Sequence, residues 1–78
     1  MSKADEMFEK LGYEFIDIKS IEFHRYEYRK TTVLEKGTRH QVIWFDLNTQ
    51  EIYIHNSIMM QELQAINEKA KELGWLDE

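Results

Sequence analysis

Residues 22–55 read EFHRYEYRKTTVLEKGTRHQVIWFDLNTQEIYIH, and this stretch decides the fold. It is rich in Tyr, Thr, Val, Ile, Phe and Trp, which suit a pleated, half-buried surface. Two breaks divide it. Glu35-Lys36-Gly37-Thr38 reads as a turn, with Gly37 free to take positive φ. Asp46-Leu47-Asn48-Thr49-Gln50 reads as a second turn, built from residues that bond their own backbone. Strands are therefore expected over 22–34, 39–46 and 51–55.

Working outward, residues 13–18 form a short strand, with Tyr13 and Phe15 alternating with Glu14, Ile16 and Ile18 before a break at Lys19-Ser20. Residues 2–11 form a helix. Ser2 serves as N-cap, and Asp5, three residues on, suits a capping box and the positive helix end. Ala4, Met7, Phe8 and Leu11 share one helical face, and Gly12 stops the helix. On the other side, Met59, Leu63, Ile66, Ala70 and Leu73 recur at alternating steps of four and three, the stripe of a second helix. Asn56 or Ser57 is expected to cap its start, and Gly74 ends it. Gly12-Tyr13 and Gly74-Trp75 look like one stop signal used twice, an aromatic directly after the helix-ending glycine.

The expected fold class is α+β, ordered α-β-β-β-β-α: a four-stranded antiparallel meander with both terminal helices on one face. With 78 residues, no Pro and no Ser/Gly-rich linker, residues 1–78 are expected to be a single domain. The chain has no Cys, so a thin core has no disulfide to reinforce it, which points to a cytoplasmic setting and away from thiolate chemistry. The opening MSKADEMFEK lacks the apolar region of a signal peptide, and no apolar run approaches the about 20 residues of a membrane span. A net charge of −5 disfavours non-specific binding to phosphates and suits a basic protein surface.

Strand alternation sorts the sheet residues into two sets. Ile43, Phe45, Ile52 and Ile54 are expected beneath the helices. Tyr26, Tyr28, Trp44 and Tyr53, with Val42, are expected on the opposite face. An antiparallel sheet with one solvated face normally alternates apolar with polar. This face does not, so either the two sets are assigned to the wrong faces, or a loop or Trp75-Leu76 covers part of the aromatics, or it is an exposed aromatic patch that binds a protein, most simply a second copy of the chain.

Other chemistry is weaker. Arg25, Arg29 and Lys30, interleaved with Tyr26 and Tyr28, could hold phosphates and stack single-stranded bases. The same residues also suit a solvated strand edge, and Glu22 and Glu27 dilute their charge. His24, His40 and His55 sit on separate strands without metal-ligand spacing, so no metal is expected. Glu68 and Glu72 lie one helical turn apart among Lys69 and Lys71, the pattern of a solvated helix face. There is no phosphate loop, nucleophile elbow or Ser/His/Asp set, hence no expected catalytic residue or cofactor. The element order invites comparison with double-stranded RNA-binding domains, but Met59-Met60-Gln61-Glu62 stands where that fold places phosphate-contacting basic residues.

At both ends the chain resembles a group of short, mostly uncharacterised proteins encoded by phages and prophages of Gram-positive bacteria. The resemblance rests on Ala4-Asp5-Glu6-Met7-Phe8-Glu9-Lys10-Leu11-Gly12-Tyr13, on Met60-Gln61-Glu62-Leu63-Gln64-Ala65-Ile66-Asn67 and on Glu72-Leu73-Gly74-Trp75. Where relatives are expected to carry a capping Thr before the Met-Gln-Glu-Leu run, this chain has Met59. The resemblance implies an accessory protein that acts in the cytoplasm of the bacterial host by binding a host or phage protein. It transfers no site residue.

Overall fold

The computed structural model describes residues 2–76; Met1, Asp77 and Glu78, the ends of the expected domain, lie outside the described residues. The order is α1 (Lys3–Lys10), β1 (Glu14–Lys19), β2 (His24–Leu34), β3 (Gly37–Asp46), β4 (Glu51–His55) and α2 (Met60–Glu72). The strands form one antiparallel meander, β1-β2-β3-β4, and the helices pack against each other on one face of it.

Local chemistry sets the helix ends. The Ser2 hydroxyl accepts from the Asp5 N–H at 3.1 Å, the expected cap of α1. Both helices then stop in the same six-residue motif. Tyr13 N–H bonds Phe8 C=O and Gly12 N–H bonds Glu9 C=O; Trp75 N–H bonds Ala70 C=O and Gly74 N–H bonds Lys71 C=O. Each glycine has the positive φ that this closure requires, +95° at Gly12 and +77° at Gly74.

The start of α2 corrects the expectation. Met59 is the N-cap residue, in place of Asn56 or Ser57. Its thioether is a poor acceptor, and the Glu62 carboxylate supplies the satisfying half of the box by accepting from Met59 N–H at 2.6 Å. Asn56 turns away in the left-handed region, at φ 70°, and its amide donates to His40 C=O.

The core lies between the helices and β2–β3. Phe8 stacks on Tyr28 with ring centroids 3.9 Å apart, and both meet Phe45 edge-on. Ile43, Tyr13, Ala65 and Ile66 complete the buried cluster. Each fully buried large apolar side chain contributes about 1.5–3 kcal/mol, so this short set carries much of the fold. Two tyrosine–carboxylate bonds pin the helices: Tyr28 donates to Asp5 at 2.6 Å and Tyr13 donates to Glu62 at 2.7 Å. Glu72 of α2 accepts from Ala4 N–H at the start of α1, and the Lys69 ammonium sits 3.3 Å from Asp5. Burial works to raise the pKa of Asp5, but the Tyr28 hydroxyl, the Lys69 charge and the Ser2 hydroxyl outweigh it and hold the carboxyl below its usual range. Burial acts on Glu62 in the same way and is outweighed by Met59 N–H, the Tyr13 hydroxyl and Lys30. Tyr13 and Tyr28 are pushed well above the usual phenol range by burial and by their carboxylate partners.

Candidate interaction surface

Sheet register decides which residues share a face. Only two residues, Glu35 and Lys36, separate Leu34 from its partner Gly37, so even-numbered residues of β2 stand opposite odd-numbered residues of β3. Tyr28 pairs with Ile43 and Tyr26 with Phe45. This overturns the expected grouping of four aromatics. Tyr26 and Tyr28 belong to the helix face, where Tyr28 is 1% exposed and Tyr26 packs against the core. Trp44 and Tyr53 pair across β3–β4 on the opposite, open face. Ile43 and Phe45 are fully buried, as expected. Ile52 and Ile54 share their face, yet remain 38% and 40% exposed because β4 lies beyond the packed core.

The open face is built in cross-strand rows. The central row runs Ile16, Glu27, Trp44, Tyr53 across the four strands. Trp44 and Tyr53 stack with centroids 4.0 Å apart and planes 18° from parallel. The Arg25 guanidinium lies 4.1 Å from the Trp44 ring centroid and 5.1 Å from that of Phe23. Glu27 is the pivot: it is 2% exposed although no helix covers it, ion-paired with Arg25 on one side and Arg29 on the other. Strand alternation alone places Arg25, Glu27 and Arg29 on one face, a signal present in the sequence but read there only as diluted positive charge.

The basic strand considered as an alternative nucleic-acid site does not present its cations together. Arg25 and Arg29 stand on the open face beside Glu27, whereas Tyr26, Tyr28 and Lys30 stand on the helix face. Lys30 is committed there: its ammonium donates to Leu11 C=O at 3.1 Å, at the negative end of α1, and lies 3.7 Å from Glu62. The open face also carries Asp46 and Glu51, which continue the Arg25 row across β3 and β4.

His24 stands apart from the other two histidines, which share the open face and one depression. His24 bonds Asp17 at 2.7 Å on the helix side, and His40 bonds Thr31 at 3.2 Å on the open side. His55 ends β4, opposite Val42. Among the described residues no cluster of three His, Cys, Asp or Glu is placed to hold a metal ion, and no helix is long and apolar enough to cross a membrane.

Two of the depressions among the described residues bear on the sheet faces. One, of about 360 Å³, lies at the helix-face end of β2–β3 and is lined by Lys30, Arg39, Gln41, Ile58, Met59 and Glu62, with neither amide atom of the buried Gln41 bonded to protein. The other, of about 350 Å³, is bounded by Trp44 and Asp46 of β3 and Glu51, Ile52 and Tyr53 of β4. The chain matches no protein-family model, no curated protein and no solved structure.

Proposed function

We propose that this chain is a phage or prophage accessory protein that works by protein–protein contact in the cytoplasm of a Gram-positive host, and that it is a binding protein rather than an enzyme. The observation that carries the reading is the Trp44–Tyr53 stack on a sheet face that no helix covers, with Tyr53 42% exposed. Large aromatics held rigidly at a surface are typical anchors of protein interfaces, because they offer much contact area at little entropic cost. The likeness of both chain ends to phage-encoded proteins supports the setting. The test is a tagged pull-down from host lysate, with and without nuclease, read by mass spectrometry. A protein captured by the wild type, resistant to nuclease and lost with Trp44→Ala, is the expected result. Capture that is indifferent to Trp44→Ala would remove the open face from the reading.

A second reading, single-stranded nucleic-acid binding, draws on the Arg25 guanidinium lying over Trp44 beside Tyr53. It uses Arg25 and Arg29 without Lys30. Against it stands Glu27, which holds both arginines. This reading expects a gel shift with single-stranded oligonucleotide that weakens steeply with salt. No shift at low salt would eliminate it.

A further inference from the structure

β4 is an outer strand of the sheet, pairing only with β3 among the described residues, and all five of its residues are exposed. The other outer strand, β1, carries Asp17 and Lys19 and has Lys69 folded over its Phe15 ring, with the ammonium 5.8 Å from the centroid. Charges of that kind deter edge pairing. The centre of β4, Ile52-Tyr53-Ile54, has no charge, proline or bulge to do so.

The direction of its free backbone groups follows from the ladder. Leu47 N–H bonds His24 C=O, one step beyond the Arg25–Asp46 pair. Antiparallel bonding alternates from residue to residue. Odd-numbered β3 residues therefore bond toward β2 and even-numbered ones toward β4. Asp46 C=O, accepting from Gln50 N–H at 2.8 Å, and His40 C=O, accepting from Asn56 at 2.6 Å, agree with this parity. Asp46, Trp44 and Val42 stand opposite Glu51, Tyr53 and His55, so those three bond inward. Ile52 and Ile54 are left with their N–H and C=O groups aimed outward.

The strand is self-complementary about Tyr53. Placed antiparallel to itself on that centre, Glu51-Ile52-Tyr53-Ile54-His55 sets Ile52 opposite Ile54 twice, using all four outward groups of each strand. Tyr53 then faces Tyr53, and each Glu51 carboxylate faces the His55 ring of the other copy. Shifting the register by two residues draws in Gln50 or Asn56, whose positive φ values, 62° and 70°, end the extended strand.

We propose that β4 pairs with β4 of a second copy of this chain, antiparallel and centred on Tyr53, to form a continuous eight-stranded sheet about a two-fold axis. The proposal rests on the protein-contact reading above and names one occupant for it. A short pairing of this kind falls below standard interface size, so the dimer forms in a concentration-dependent way.

The chain has no cysteine, so single introduced thiols report the register. Directly opposed residues at non-hydrogen-bonded positions lie about 4.5 Å apart at Cα, within disulfide reach, whereas diagonal neighbours at about 7–8 Å are beyond it. With purified protein under mild oxidation, Tyr53→Cys is expected to be captured as a disulfide dimer at least about tenfold faster than Glu51→Cys or His55→Cys alone. Glu51→Cys and His55→Cys, both exposed and remote from the core, link to each other when mixed; this pair carries the test if loss of the Trp44 stack harms Tyr53→Cys. Sedimentation of the wild type shows twice the 9.5 kDa chain mass as concentration rises, and Ile54→Lys abolishes the rise. A wild type that stays monomeric up to millimolar concentration overturns β4 pairing and leaves the lysate pull-down to judge the contact reading by itself. A dimer that none of these thiols captures overturns β4 pairing while retaining self-contact through another surface.

Discussion

Tyr28 and Glu27 are neighbours on one strand with opposite surroundings. Tyr28 faces the helices, seals against Phe8 and donates to Asp5. Glu27 faces away, and its cover consists of side chains from the sheet itself, two arginines beside Trp44. Both are almost wholly buried, but by different means. The helix face is closed by secondary structure and a hydrophobic core. The open face is covered around Glu27 by arginine side chains, with no helix over them. Tyr28 is thus buried by packed helices, whereas Glu27 is buried beneath Arg25 and Arg29, with Arg25 also lying over the Trp44 ring.

The comparison is most exposed to Tyr28→Ala. Loss of the Phe8 stack and of a fully buried ring is expected to cost about 3–5 kcal/mol in urea unfolding, enough to unfold a domain of this size. If the loss matches that of an open-face substitution, the distinction between faces fails. Tyr28→Phe, which keeps the ring and removes the donor to Asp5, is expected to cost about 1–3 kcal/mol.

Acid probes the same bonds from the carboxylate side. Asp5 and Glu62 have folded-state pKa values below their ordinary 3.8 and 4.5. Their contribution is thus complete above those ordinary values and is lost as pH falls through them toward the folded values. The urea midpoint is expected to drop between about pH 5 and pH 3, with a shallower slope in an Asp5→Asn, Glu62→Gln double variant. An unchanged slope would mean that the tyrosine–carboxylate bonds contribute nothing to stability.

On the open face the effects are smaller. Trp44→Ala removes a stack worth about 0.5–1.5 kcal/mol and a cation–π contact worth about 0.5–1 kcal/mol. The circular dichroism spectrum and cooperative melt are expected to persist while partner capture falls. A Trp44→Ala protein that does not fold would make the open face a second core. Smallest is Tyr53→Phe: among the described residues its hydroxyl makes no hydrogen bond, and its ring is retained, so stability is expected to stay within about 0.5 kcal/mol of the wild type.

The elements were legible in the sequence because each carries its own punctuation. Gly12 and Gly74 mark both helix stops, and β4 is bounded as its alternation suggests. The face assignment of Tyr26 and Tyr28 was not legible from alternation alone. Alternation says which residues of one strand agree, and joining strands into a face requires the parity of each turn: the expected four-residue turn and the observed two-residue one both set Tyr26 and Tyr28 beside Ile43 and Phe45, so the misplacement came from grouping the aromatics together and not from the turn length. Glu27 shows another gap. Its buried ion pairs depend on Arg25 and Arg29 folding inward, which no local pattern states. The cap of α2 was missed for a related reason: a side chain within the first turn, Glu62, performs the task usually given to the residue at its boundary.

The bond between Ala4 N–H and Glu72 joins residues 68 apart, and Lys69 reaches Asp5 across 64. The hairpins of the sheet, by contrast, close over short loops. Loop-closure entropy therefore sets an order of assembly, with β2–β3 and β3–β4 forming early and the helix pair clasping last. Until that clasp forms, Tyr28, Ile43 and Phe45 face water while both sides of the sheet display aromatic or apolar side chains. On that order, the sheet is expected to form ahead of the core. Pulsed hydrogen exchange is expected to protect the β2–β3 amides before those of α1. Sequence changes that slow the closing of the helix pair would then aggravate aggregation, even where they leave the finished structure equally stable.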